Sequence, residues 1–117
     1  IASLAADAGL PALLHCDGDA RSLFALARGA GFRGVHGDCG GVTGIGPALE
    51  ATRSARIALV GGLATSDLSD PGRGARAGED AAVLARGGGL LISDDGGLTT
   101  PRQMEALIAA LEALLRP

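Results

Sequence analysis

Residues 56–63 read RIALVGGL, and this stretch decides the fold class. Ile57, Ala58, Leu59 and Val60 follow one another with no polar residue between them. A strand with one wet face alternates apolar and polar side chains, whereas an unbroken apolar run suits a strand covered on both faces, as in a parallel sheet. Comparable short runs stand at 12–15, 34–36 and 89–93, each bounded by glycine, proline or aspartate, and together they predict four strands.

Helical patterns separate the runs. The clearest spans 101–115, where Met104, Leu107, Ile108, Leu111, Leu114 and Leu115 recur at helical spacing and predict the buried face. Thr100 is placed to cap it, Pro101 to occupy its first position and Gln103 to reach back to the cap. A second helix follows Asp19, with Leu23, Phe24, Leu26 and Ala27 inward and glycines at 29–31 ending it. Shorter helices fit 47–53 and 79–86. The stretch 65–78, rich in Ser, Asp, Pro, Gly and Arg, reads as the most mobile loop.

Strand and helix therefore alternate through four βα units. The fold class is α/β, with right-handed crossovers. A doubly wound sheet and part of a (β/α)8 barrel both satisfy the pattern, and 117 residues are at most half of the roughly 250 a whole barrel takes. Residues 1–8 read as the last turns of a helix closed by Gly9, with Pro11 beyond. The expectation is a single partial domain over 1–117 that begins mid-fold.

Composition narrows the function classes. The net charge is −3 and all ten basic residues are arginine, which speaks against a nucleic-acid surface and removes lysine Schiff-base and phosphate-loop chemistry. No apolar run approaches the roughly 18 residues of a membrane span, and the start IASLAADAGL carries no positive flank, so a cytoplasmic setting without membrane contact is expected. Cys16 and Cys39 are too few for a disulfide framework and read as reduced thiols.

Polar residues gather where the strands should end, the face on which α/β folds bind ligands: His15, Asp17 and Asp19; His36, Asp38 and Cys39; Ser93, Asp94 and Asp95. His15 and Asp17 are alternate residues and project to the same side. They suit either a base with its orienting carboxylate or two ligands of a divalent metal, which Asp38 or Cys39 can complete. Asp19, Thr99 and Thr100 read equally as helix caps. The segment 37–46, GDCGGVTGIG, matches no phosphate fingerprint and reads first as a tight loop. Gly61 and Gly62 leave room at a strand end for a substrate or for close packing.

LLHCDGD (13–19), GFRGVHGD (31–38), RIALVGGL (56–63) and GGLLISDDGGL (88–98), in this order and ahead of a terminal helix, resemble the C-terminal half of the uroporphyrinogen decarboxylase superfamily. That resemblance covers nearly the whole chain and implies the C-terminal half of a (β/α)8 TIM barrel. The superfamily includes metal-free decarboxylases of tetrapyrrole acetate side chains, zinc-dependent methyltransferases acting on corrinoids or thiols and, more distantly, cobalamin-independent methionine synthase. His15 matches the histidine of the zinc branch's HxC motif, Asp17 stands at its cysteine, and Gly96 stands where the last loop carries a second cysteine or, in the decarboxylases, a histidine. Cys16 is one residue off register.

The resemblance implies a decarboxylase with no cofactor, with His15, Asp17 and Asp38 catalytic and Gly61, Gly62, Asp94 and Asp95 at a carboxylated substrate. Its arginines resemble parts of an N-terminal half outside this chain. Two alternatives stand beside it. One is a methyltransferase with zinc on His15 and Asp17. The other is a non-catalytic half-barrel that binds a ligand, pairs with an N-terminal half or associates with itself.

Overall fold

The computed structural model describes residues 1–37 and 44–116. In chain order they form α1 (Ala2–Asp7), β1 (Leu13–Cys16), α2 (Phe24–Gly29), β2 (Gly34–Gly37), α3 (Ile45–Ala55), β3 (Ala58–Leu63), α4 (Pro71–Ala85), β4 (Leu90–Asp94) and α5 (Pro101–Leu114). Short 3-10 turns lie at Arg21–Leu23 and Thr65–Asp67. The strands make one parallel sheet in the order β1-β2-β3-β4. The chain is thus α/β with alternating units, an arrangement compatible with half a barrel. No helix among the described residues is long and apolar enough to cross a membrane.

One turn is used three times to pass from helix to strand. After α1, Gly9 N–H donates to the Ala6 carbonyl at 2.9 Å and Leu10 N–H to Ala5 at 2.8 Å. After α2, Gly31 and Phe32 donate to Arg28 and Ala27; after α3, Arg56 and Ile57 donate to Arg53 and Thr52. Each pair satisfies two carbonyls that the helix end leaves open and redirects the chain toward the sheet. Gly9 takes the left-handed position as expected, while after α3 that position holds Arg56 at φ +55°.

Leu14, Val35, Leu59 and Leu90 stand side by side in register and face the helices. Val35 and Leu14 pack with Phe24, Ala27 and Ile57, and Leu59 packs with Ala48, Leu49 and Leu90. Because strand side chains alternate, the neighbouring row, His15, His36, Val60 and Leu91, lies on the opposite face. Both edges of this face are open to water at Leu13 and Leu91.

Two expectations are overturned in the C-terminal part. The predicted mobile loop over 65–78 is a 3-10 turn followed by the first two turns of α4. Asp70 caps that helix by accepting from Arg73 N–H at 3.0 Å, and Pro71 opens it. The same bond holds the Asp70 carboxyl below the usual carboxylate range. Glycine costs a helix about 1 kcal/mol per residue, but here the backbones of α4 and α5 touch. A Cβ on Gly74 would lie 2.1 Å from the Ala106 carbonyl oxygen, and one on Gly78 equally close to that of Ala110.

The buried face of α5 differs accordingly. Ala106, Ala110 and Ala113 are buried, whereas Met104, Ile108, Leu111 and Leu115 are 49%, 50%, 43% and 80% exposed. Only alanine fits against the glycine face of α4, and the larger side chains turn outward; Leu107 and Leu114 remain partly buried. Leu26 is another correction: α2 buries Phe24 and Ala27, and Leu26 is exposed, because a six-residue helix has a single narrow inward stripe.

Candidate functional site

β1 and β2 bring His15 and His36 into register, and their side chains meet on the open face of the sheet. His15 Nδ1 lies 2.8 Å from His36 Nδ1, with ring centroids 4.9 Å apart. His15 Nε2 is 3.1 Å from Asp17 Oδ1, so the same-side placement of alternate residues holds. His36 Nε2 is 2.9 Å from the backbone carbonyl oxygen of Asp94.

That last bond crosses β3. Just beyond Val60, the residue in register with His36, β3 carries Gly61 and Gly62 at φ +150° and +104°. L side chains rarely adopt these angles, and a Cβ on Gly62 would meet the Leu90 and Ile45 side chains at 3.6–3.8 Å. Gly62 also lines the adjacent cavity.

The network constrains the protons. A carbonyl oxygen only accepts, so His36 Nε2 carries a hydrogen; an ionised Asp17 only accepts, so His15 Nε2 carries another. Two neutral rings would then oppose lone pairs at 2.8 Å. A hydrogen bond between the two Nδ1 atoms requires a hydrogen on one of them, and which ring donates depends on the tautomers of both. The exposed contact between His15 and Asp17 adds little stability.

A cavity of about 370 Å³ opens at the carboxyl ends of β2 and β3, lined by Gly37, Gly44, Gly62, Ser66, Asp67 and Asp95 among others, with none of His15, Asp17 and His36 in its lining. Among the described residues lining it none is basic. Asp95 braces the turn after β3, accepting from Thr65 N–H at 2.8 Å and from the Thr65 hydroxyl. Asp67 accepts from Arg73 at 3.0 Å. Asp94 contributes its backbone carbonyl to His36, while its carboxylate accepts from Gly96 N–H at 3.2 Å.

Asp19 stands apart from the cluster and accepts from Arg21 N–H and Nε. The Arg21 guanidinium, followed by its backbone N–H, holds the Asp19 carboxyl down at about 2. Cys16 is half-buried against the helix-side cluster, facing away from His15 as its register predicts. Asp38, Cys39 and most of 37–46 lie outside the described residues.

The structure therefore brings together His15, Asp17, His36 and the Asp94 carbonyl. His36 is the centre of the network, although the motif reading did not select it as catalytic. The available signal was H-x-D at two successive strand ends, His15-Cys16-Asp17 and His36-Gly37-Asp38. Among the described residues no group of three or more His, Cys, Asp or Glu side chains can hold a metal ion, and Asp38 and Cys39, expected to complete a metal site, lie outside them. No family model, curated protein or solved structure matches the chain.

Proposed function

We propose that the chain is the C-terminal half of a (β/α)8 barrel of the uroporphyrinogen decarboxylase type, acting without a metal on an acetate-bearing pyrrole of a tetrapyrrole. The observation that carries the reading is the 2.8 Å contact between His15 Nδ1 and His36 Nδ1 on the open sheet face at the carboxyl ends of the strands. Such a pair is a proton donor held in place by Asp17 on one side and a main-chain carbonyl on the other.

A proton delivered to a ring carbon makes the pyrrole cationic. The bond between the acetate methylene and its carboxylate then breaks, carbon dioxide leaves, and the bonding electrons neutralise the ring. Protonation of the resulting exocyclic methylene and loss of the ring proton leave a methyl group, with one proton consumed overall. Asp17 and the acceptors near the cavity stabilise the cationic stage. They do not bind the substrate's carboxylates, whose cations come from whatever completes the barrel.

The test is turnover of an acetate-bearing porphyrinogen, with products separated by their number of carboxyl groups. Wild-type protein releases carbon dioxide, and His15→Gln and His36→Gln each lower kcat by about 10²–10⁴-fold with unchanged circular dichroism. Undiminished turnover in both variants would remove the histidine pair from the mechanism, and no turnover by wild type would remove the reaction. Two other readings keep support. The acidic lining of the cavity favours a non-catalytic half-barrel, for which binding without turnover is the signature. The grouping of His15, His36 and Asp17 favours zinc-dependent methyl transfer if the rings part, for which stoichiometric zinc lost in His15→Ala is the signature.

A further inference from the structure

We infer that Asp95 is a positioning residue for His36: by fastening the end of β4 to Thr65, it holds the main-chain carbonyl that settles which ring nitrogen of His36 carries hydrogen. The inference deepens the histidine reading above and rests on it for its catalytic consequence.

An imidazole has two nitrogens, and the hydrogen bond made by one decides the role of the other. His36 Nε2 lies 2.9 Å from the Asp94 carbonyl oxygen, an acceptor with no hydrogen of its own, so the hydrogen belongs on Nε2. His36 Nδ1, 2.8 Å from His15 Nδ1, is thereby committed to the histidine pair. A carbonyl that moved would loosen that commitment.

This carbonyl belongs to the peptide joining Asp94 to Asp95, where β4 ends. Beyond it stand Gly96 and Gly97 at φ +91° and +83°, and a Cβ on either would meet nothing within 4 Å. Side-chain packing does not steady the chain there, and glycine leaves the backbone wide conformational freedom. Hydrogen bonds of Asp95 take over that task. Its N–H donates to the Leu63 carbonyl at 3.2 Å, the long end of the ordinary range. Its Oδ1 accepts from Thr65 N–H at 2.8 Å and from the Thr65 hydroxyl, and Thr65 opens the 3-10 turn that follows β3. The side chain of Asp95 thus ties the end of β4 to the end of β3, one residue away from the carbonyl that His36 uses. The Ser93 hydroxyl, 3.0 Å from the same oxygen, occupies its second lone pair.

Such a part differs from contact with a substrate carboxylate. A residue that only steadies the acceptor of His36 governs the chemical step and leaves substrate affinity alone, whereas a residue touching substrate alters KM.

Nitrogen-15 NMR of the histidine rings at alkaline pH, alongside turnover of the acetate-bearing porphyrinogen, tests the inference. Wild-type His36 is expected to carry hydrogen on Nε2 alone. In Asp95→Ala its ring nitrogens are expected to shift toward a mixture of both tautomers. The Nε2 hydrogen then exchanges with water about fivefold faster, the factor that goes with one ordinary hydrogen bond. Thr65→Val, which removes the hydroxyl and keeps the N–H, gives a smaller change in the same direction. Asp95→Asn, whose amide oxygen still accepts from Thr65, restores the wild-type spectrum. In turnover, Asp95→Ala lowers kcat roughly 10- to 100-fold through misplacement of the ring, with KM unchanged. His36 signals identical to wild type in both Asp95→Ala and Thr65→Val would overturn the inference. So would hydrogen on Nδ1 of wild-type His36, or a raised KM with kcat unchanged in Asp95→Ala. Wild-type protein that turns nothing over sinks the proposed reaction, while the nitrogen spectra still decide the role of Asp95.

Discussion

The cluster under β1 and β2 and the contact between α4 and α5 reach close packing by opposite means. Around Phe24, Val35 and Ile57 large side chains fill the space between sheet and helix. Between α4 and α5 the space is removed, because Gly74 and Gly78 let the backbone of one helix touch Ala106 and Ala110 of the other. A chain with two phenylalanines and 20 glycines cannot fill every interface with volume. The difference shows where it uses bulk and where it uses proximity, and why apolar side chains on α5 are left over at the surface.

Opposite substitutions should damage the two regions. Phe24→Ala, at a buried site, is expected to lower the unfolding free energy in urea by about 4 kcal/mol; a loss under about 1 kcal/mol would mean that bulk is not what holds the first region. Gly78→Ala adds a methyl where none fits and is expected to cost about 3 kcal/mol. In a helix without that contact the same change stabilises by about 1 kcal/mol, so the sign alone decides whether the helices touch.

Smaller effects sharpen the contrast at its margins. Thr100 accepts from Gln103 N–H at 3.2 Å while the Gln103 side chain returns the bond to the cap, so Thr100→Ala should cost about 1 kcal/mol and fray α5 first by amide exchange. Smallest is the acid response of Asp19. Its carboxyl sits at about 2 in place of 3.8, so its stabilising contribution is complete above 3.8 and fades as pH falls toward 2. Carbon-detected titration of Arg21→Gln should return the carboxyl toward 3.8, and an unmoved titration would show that Arg21 is not the cause.

The legible parts of the sequence were those governed by local chemistry. The unbroken run at 57–60 marked a doubly covered strand, and Thr100, Pro101 and Gln103 marked the start of α5, because caps and strand patterns act within a few residues. The face that α5 buries was not legible from its own period. Leu111 and Ala110 are equally plausible inward residues until Gly78 of another helix decides between them. The glycines of α4 read as a loop for the same reason, though Asp70 and Pro71 carried its start signal. In the site, the alternation of His15 and Asp17 was visible, but the link from His36 to the Asp94 carbonyl spans 58 residues and depends on how β2, β3 and β4 pair in the sheet.

Strand order carries a kinetic consequence. Each strand pairs with the one before it in the chain, and the contact between His15 and His36 joins residues only 21 apart. Closing such short loops costs little entropy, and each further doubling of loop length adds only about 0.6 kcal/mol. The sheet can therefore grow one strand at a time from β1 as the polypeptide leaves the ribosome, without waiting for a distant segment. Synthesis and assembly proceed in the same direction, and the glycine-faced α4 gains its close partner only once α5, made after it, arrives against it.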